Sequence, residues 1–351
     1  MRDILSDLDN WLANDEPIAL ATVIQTWGSA PRQAGAKMAL TPDGKITGSV
    51  SGGCVEGAVF EAGTQTLASS VPQLLQFGVA DETAWEVGLA CGGNIQVFVQ
   101  PLDKKFYADE RGKLQSSVPH AVVTVVEGEA AQLGRTLIVA DGAVSFGSLG
   151  ASDLDEAAVA AAQVALAERR SQRTALAREG ATLTDVFVEV VLPPPTLIMV
   201  GGVHIAVALT AIARALGYRT VVVDPRRSFG SAERFPHVDE LIQAWPDEAL
   251  AQVGLTETTA VAMLTHDPKL DDPALQAALP SPAFYVGALG SKTTQAKRRE
   301  RLRAMGVAEA QLDRLHGPIG LDIGGRSPDE IALAIMAEVV TVRNQQQPTA
   351  G

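Results

Sequence analysis

The stretch TLIMVGGVHIAVALTAIARALGYRTVVVD, Thr196–Asp224, decides the fold of the second part of the chain. An apolar run (196–200) ends on Gly201-Gly202, and a helical pattern follows from His204 to Leu216. Gly217 stops that helix where a C′ glycine belongs, and a second apolar run (219–224) ends on Asp224. Strand, glycine turn, helix and strand in this order form a crossover unit of a parallel sheet. AVAMLT (260–265) and AFYVGAL (283–289) are further apolar runs separated by helical stretches. The region therefore reads as a Rossmann-like, doubly wound sheet covered on both faces. Ser327-Pro328-Asp329-Glu330 marks its last helix with a capping residue, a proline at the first helical position and a capping-box glutamate.

The turn at Gly201 has the context of a dinucleotide fingerprint, because a helix start offers unpaired N–H groups to a pyrophosphate. Asp224 is placed to accept a ribose hydroxyl. In the pattern G-x-G-x-x-A the second motif glycine is replaced by Val203, whose methyl groups stand where a phosphate comes close. Two readings stay open: a nucleotide or phosphate-ligand site on Gly201, Gly202 and Asp224, or a turn that needs small residues for packing. Polar clusters also follow the later strands: Thr265-His266-Asp267, Gly290-Ser291-Lys292, and Asp322 ahead of Gly324-Gly325. Ligands of open α/β sheets bind beyond the carboxyl ends of strands, so these loops are expected to converge on an anionic ligand.

Three prolines in LPPPT (192–196) hold the chain extended, which suits a linker at 193–196 between a domain at 1–192 and one at 197–343, with a disordered tail at 344–351. The first domain reads as mixed α+β. Strand-like runs cover 18–26, 94–101, 120–128 and 185–192, a hairpin turns at Asp141-Gly142, and helices are expected at 55–69 and across the Ala-rich 153–179. No internal repeat is evident.

Of 351 residues, 46% are hydrophobic and 20% charged, the balance of a globular protein. The formal charge of −13 argues against nucleic-acid binding, which needs clustered Lys and Arg. No run approaches the roughly 18 apolar residues of a membrane span. MRDILSDLDNWL reads as an amphipathic helix and not a signal peptide, and two cysteines give no disulfide framework, so a cytoplasmic setting is expected.

Both cysteines lie in glycine-rich loops: GSVSGGCVEG (48–57) and ACGG (90–93). Consecutive glycines and serines let backbone N–H groups point one way and cradle an anion. Cys54 precedes a helix, whose dipole favours thiolate over thiol. One reading is a reactive or ligating sulfur beside an anionic cofactor; the other is two unreactive small residues in tight turns. Zinc lacks soft ligands here, since no histidine pair accompanies the cysteines.

GSAPRQAGAKMAL (28–40), GSVSGGCVEG, VGLACGGNIQVFVQP (87–101), LIMVGGVHIA (197–206), VVVDPRR (221–227), LTHD (264–267), YVGALGSK (285–292) and GPIGLDIGGRSPDEIALAI (317–335) together resemble the XdhC/CoxI family of accessory proteins for molybdenum hydroxylases. The resemblance spans most of the chain apart from 103–190. It implies a chaperone and not a catalyst: a protein that binds molybdenum cofactor, supports its sulfuration by a cysteine desulfurase and delivers it to the apo large subunit of a molybdenum hydroxylase. Carried onto this sequence, it makes Gly28, Ser29, Arg32, Ser51, Gly52, Gly53, Cys54, Glu56, Cys91, Gly92 and Gly93 the candidates for the cofactor, with Cys54 the molybdenum contact. Gly201, Gly202, Asp224, Gly290, Ser291, Lys292 and Asp322 are the candidates of the second domain. The cofactor in its pterin or dinucleotide form and a homodimeric assembly complete this expectation. The alternative is an NAD(P)-dependent oxidoreductase working through Gly201, Gly202 and Asp224.

Overall fold

Strand β1 (Ala19–Trp27) sorts its side chains by parity, as a pleated strand must. Ala19, Ala21 and Val23 join Met38, Leu40, Val55, Val59 and Val97 in one buried cluster, while Ile24 turns the other way to meet Phe98, Val126 and Phe187. The computed structural model describes residues 1–30, 32–78, 93–177 and 183–346. The chain divides into two units, Met1–Pro193 and Pro194–Gly351.

In the first unit a short 3-10 turn leads into helix α1 (Leu5–Ala13), followed by β1, β2 (Lys37–Leu40), β3 (Ile46–Gly48), α2 (Glu56–Ser69), β4 (Gln73–Phe77) and β5 (Asn94–Pro101). Helix α3 (Lys104–Ser116) connects to β6 (His120–Glu127), β7 (Thr136–Ala140), β8 (Ala143–Gly147), α4 (Ser152–Glu168), β9 (Gln172–Leu176) and β10 (Thr184–Val191). The strands form two antiparallel five-stranded sheets, β3-β2-β1-β5-β4 and β8-β7-β6-β10-β9. Helix α2 packs on the outer face of the first sheet and α4 on that of the second. The inner faces meet through Ile24, Phe98, Val126 and Phe187. A buried ion pair also crosses between the sheets: Lys37 Nζ donates to Glu189 Oε2 at 2.7 Å.

The second unit runs β11 (Thr196–Val200), α5 (His204–Ala215), β12 (Arg219–Val223), β13 (Glu240–Ile242), α6 (Pro246–Val253), β14 (Thr259–Met263), α7 (Pro268–Ala278), β15 (Tyr285–Ala288), α8 (Lys292–Ala304), α9 (Glu309–Leu312), β16 (Leu315–His316) and α10 (Pro328–Gln346). Its six parallel strands take the order β13-β12-β11-β14-β15-β16. This is the doubly wound arrangement expected from 196–224, with its switch point between β11 and β14. The fully buried runs Leu197–Val200, Val221–Val223 and Ala260–Met263 carry apolar side chains on both faces because helices cover both.

Two expectations are corrected. The Ala-rich helix stops at Glu168, where Arg169 takes the left-handed conformation (φ 53°), and Gln172–Leu176 pairs with β10 as an edge strand. Pairing to a neighbouring strand overrides the local preference of that segment. Helix α10 also continues to Gln346, into the stretch expected as tail.

The Lys37–Glu189 pair gives a direct stability test. Lys37→Met alone leaves a buried carboxylate unpaired and lowers stability by about 3 kcal/mol, whereas Lys37→Met with Glu189→Leu regains most of that loss. Urea denaturation of the three proteins reads both outcomes.

Candidate functional site

The residue ladder of the first sheet brings the glycine loops to one end. Trp27 pairs with Asn94, so the Gly28–Arg32 loop that leaves β1 lies beside the residues that enter β5. A side chain on Gly93 would sit 2.8 Å from the backbone nitrogen of Ala30, so only glycine lets these two loops touch. Arg32 Nε donates to the Ser49 carbonyl at 3.2 Å, which joins the first loop to the Ser49–Glu56 loop that leaves β3. Gly28, Ser29, Arg32, Ser51–Cys54 and Gly93 are thus neighbours across the end of the sheet. Cys91 and Gly92 lie outside the described residues.

The Ser49–Glu56 loop is organised by Glu56. Its Oε1 accepts from the Ser49 hydroxyl (2.6 Å) and the amides of Ser51 (3.0 Å) and Gly52 (3.1 Å). Its Oε2 accepts from the Ser51 hydroxyl (2.5 Å) and the amides of Gly53 (2.9 Å) and Val55 (3.2 Å). The Cys54 amide goes to Ser51 Oγ at 3.0 Å. The concavity of backbone donors expected to hold a ligand anion therefore forms, but the chain's own carboxylate fills it. Glu56 is the first residue of α2, near enough in sequence to fold back onto the loop, so it reaches these donors at little entropic cost. Partial burial opposes its charge, but the Ser49 and Ser51 hydroxyls and the loop amides outweigh this and hold the carboxyl at about 2. What the loop leaves accessible is the exposed Cys54 thiol. The space where side chains at Gly52 (φ 78°) and Gly53 (φ 117°) would stand is open. Nearby, the Arg32 guanidinium is 40% exposed and 3.9 Å from Asp3 Oδ2, so it can turn to an incoming anion.

The second unit repeats this solution. Asp224 is fully buried. Its Oδ2 accepts from the Gly202 amide at 2.8 Å and from Arg226 Nη2 at 2.7 Å, and its Oδ1 from the Arg226 amide and Nε, both at 2.9 Å. Burial works against the charge, yet Arg226 and the two amides hold Asp224 below the usual carboxylate range. All four lone-pair sites are occupied, so the ribose-binding role expected of Asp224 is not available to it. Gly201 and Gly202 are required by packing: side chains there would meet Thr265 and the Phe229 backbone. Arg226, stacked on the Phe229 ring at 4.0 Å, instead faces a crevice of about 500 Å³ with Val203 and the 264–268 loop.

The later loops converge only in part. Ser291 caps α8 by accepting from the Thr294 amide at 3.2 Å, and Lys292 is the first residue of that helix. Asp322 accepts from the Gly324 amide at 3.3 Å. Neither Lys292 nor Asp322 is among the residues that line the crevice. A buried pair that sequence reading missed fixes the strand ends beneath them. Arg298 Nη2 donates to Asp271 Oδ2 at 2.9 Å, and Thr265 donates to the other oxygen. Residues of two helices make this pair, so no local motif announces it. Among the described residues, no group of three or more His, Cys, Asp and Glu is placed to hold a metal ion, and no helix is long and apolar enough to cross a membrane.

The lowered carboxyl of Glu56 sets a pH dependence. Its stabilisation is complete above the ordinary value of 4.5 and is lost as pH falls toward about 2. Glu56→Gln is therefore expected to cost about 2 kcal/mol at pH 7, after discounting for partial exposure, and progressively less below pH about 4. Thermal melts of both proteins across that range give the comparison.

Two models of one family match the chain. The XdhC Rossmann domain matches residues 197–339, and the model of the XdhC and CoxI family matches residues 11–78 and 114–178. The second of these stretches lies where the sequence resemblance carried nothing. A Bacillus subtilis protein, named as a probable xanthine dehydrogenase subunit, is 28% identical over 345 residues, 96% of this chain and 97% of the relative. The molybdenum cofactor insertion chaperone PaoD of Escherichia coli is 27% identical over 348 residues, 99% of this chain and 90% of that protein. The crystal structure of a xanthine dehydrogenase from Bacillus halodurans superposes with a TM-score of 0.79 at 25% identity, covering 99% of this chain and 97% of the other. Matched by both models over well more than half its length, and folded as their second domain is named, the chain belongs to the XdhC and CoxI family.

Proposed function

We propose that this protein is a cytoplasmic, homodimeric accessory chaperone that binds the molybdenum cofactor and delivers it to the apo large subunit of a xanthine dehydrogenase-type molybdenum hydroxylase. Sulfuration of the bound cofactor by a cysteine desulfurase belongs to the same reading. The observation that carries it is the meeting of two glycine loops and Gly93 at one sheet end, with an exposed thiol and a half-exposed guanidinium beside them, in a chain similar over nearly its whole length to a molybdenum cofactor insertion chaperone.

The cargo is a phosphorylated pterin, alone or as a dinucleotide, with a dithiolene-bound metal. Its residues have separable tasks here. The loop amides are committed to Glu56, so Arg32 is the donor for the phosphate, by charge-assisted hydrogen bonds. The bare Gly52 and Gly53 let a flat ring approach the backbone. The Cys54 sulfur is a soft ligand suited to molybdenum. An NAD(P)-dependent oxidoreductase has weaker support, since the acid that would read the ribose is buried under Gly202 and Arg226.

The test is retention of freshly released cofactor. Purified protein is mixed with it, and molybdenum and pterin are measured in the eluted protein peak. Wild type is expected to retain both, and Cys54→Ala and Arg32→Ala each to weaken retention about tenfold, near 1.4 kcal/mol. Cys91→Ala tests the loop outside the described residues. Absence of co-elution together with tight NAD(H) binding would sink the chaperone reading and favour the oxidoreductase.

A further inference from the structure

The two sheets of the first unit have the same internal plan. In chain order each reads strand, strand, strand, helix, strand, strand, and the spatial orders β3-β2-β1-β5-β4 and β8-β7-β6-β10-β9 are identical once β6 is matched to β1. The match holds residue by residue. Thr22 pairs with Lys37 on one side and Phe98 on the other; Thr124 pairs with Thr136 and Phe187. The ladder skips Ile24 in β1 and Val126 in β6, a bulge at the same place. This alignment sets VFVQ (97–100) on VFVE (186–189), and Gln73 on Gln172.

The loops match as well. Val23 N donates to Ala36 O and Gly35 N to Val23 O, as Val125 N donates to Arg135 O and Gly134 N to Val125 O. Gln33 and Gln132 accept from the amides of Ala36 and Arg135, and Gly35 (φ 94°) and Gly134 (φ 78°) share the left-handed conformation. Gly48 and Gly147 both lack side chains because a carbonyl, of Lys37 or of Thr136, occupies that space. The seam is reciprocal: Gly35 faces the Glu189 side chain, and its counterpart Gly134 faces Gln100, the counterpart of Glu189. Contacts of this i-to-j, j-to-i kind are the mark of a two-fold. The two stretches matched by the XdhC and CoxI model, 11–78 and 114–178, fall one on each sheet.

We infer that the first unit is a tandem duplication of one module, fused as a pseudo-two-fold pair, in which Glu56 and Asp155 are the same structural carboxylate. GSVSGGCVEGA (48–58) aligns with GSLGASDLDEA (147–157). Asp155 Oδ1 accepts from the Leu149 amide at 2.6 Å, as Glu56 accepts from the Ser51 and Gly52 amides. Glu56 therefore leaves the set of ligand contacts. The copies differ at the start of this helix and in the lengths of two loops, the one before Gln33 and the one between β4 and β5. Helix α4 begins at Ser152, the counterpart of Gly53, while α2 begins three residues later at Glu56. One helical turn has been unwound in the first copy into Ser51–Cys54, and the Gly28–Arg32 loop there is three residues longer than its counterpart before Gln132. These are the specificity-determining differences for the cargo, an assignment that rests on the chaperone reading.

The second copy supplies its own test. Ser51→Gly, Gly52→Ala, Gly53→Ser and Cys54→Asp together install its sequence in the first. The quadruple variant is expected to melt within about 5 °C of wild type, to gain amide-exchange protection at residues 53–55 and to lose cofactor retention about tenfold. Glu56→Ala and Asp155→Ala are each expected to lower the Tm by about 5 °C. An Asp155→Ala protein as stable as wild type, or a quadruple variant whose exchange at 53–55 is unchanged, overturns the duplication of roles. If wild type retains no cofactor, the chaperone reading fails, while melting and exchange still decide the duplication.

Discussion

A glycine turn frees backbone N–H groups that a folded chain cannot leave unpaired without a penalty of a few kcal/mol each. This protein meets that demand repeatedly with its own acids. Glu56 takes the amides of the Ser49–Val55 loop, Asp155 that of Leu149, and Asp224 those of Gly202 and Arg226. In the last helix Glu330 accepts from Arg326 and Ser327, and Glu338 from Gly320. Except for Asp224, which follows strand β12, each acid lies on the helix that the turn introduces or packs against, so the turn and the helix are fixed together.

That device shapes what the loops can do. A loop whose donors are already paired is ordered before any ligand arrives, so binding there costs little conformational entropy. Such a loop presents side chains and bare glycine backbone in place of amides. In the first unit the side chains left open beside the loop are Cys54 and Arg32; the crevice of the second unit carries Asp267 and Arg226, the latter oriented by Asp224 and Phe229. Buried ion pairs position the surroundings. Lys37 and Glu189 tie the sheets of the first unit, and Asp271 with Arg298 ties α7 to α8 beneath the strand ends of the second.

Much of the frame was legible along the chain. The parallel sheet followed from 196–224, the final helix from its capping box, and the hairpin from Asp141-Gly142, which both take positive φ. Short or exposed elements were not legible: β13 and β16 carry too few residues for a period, and Gln172–Leu176 is a strand only because β10 offers it an edge. The repeat escaped notice for a different reason. Its copies keep pairing geometry and turn glycines while the identities between them change, and the counterpart loops differ in length by three residues before Gln33 and Gln132.

The sequence by itself determined the fold class, the prolines between the two parts and the glycine loops around Gly28 and Cys54, because strand period, caps and turn chemistry are local properties. Only the tertiary structure decided who uses the donors of those loops. Whether Glu56 or a ligand fills the first loop, and whether Asp224 faces a ribose or Gly202 and Arg226, depends on which groups come within about 3 Å of each other after the chain folds back. That proximity is fixed by packing across positions distant in sequence, and no local pattern encodes it.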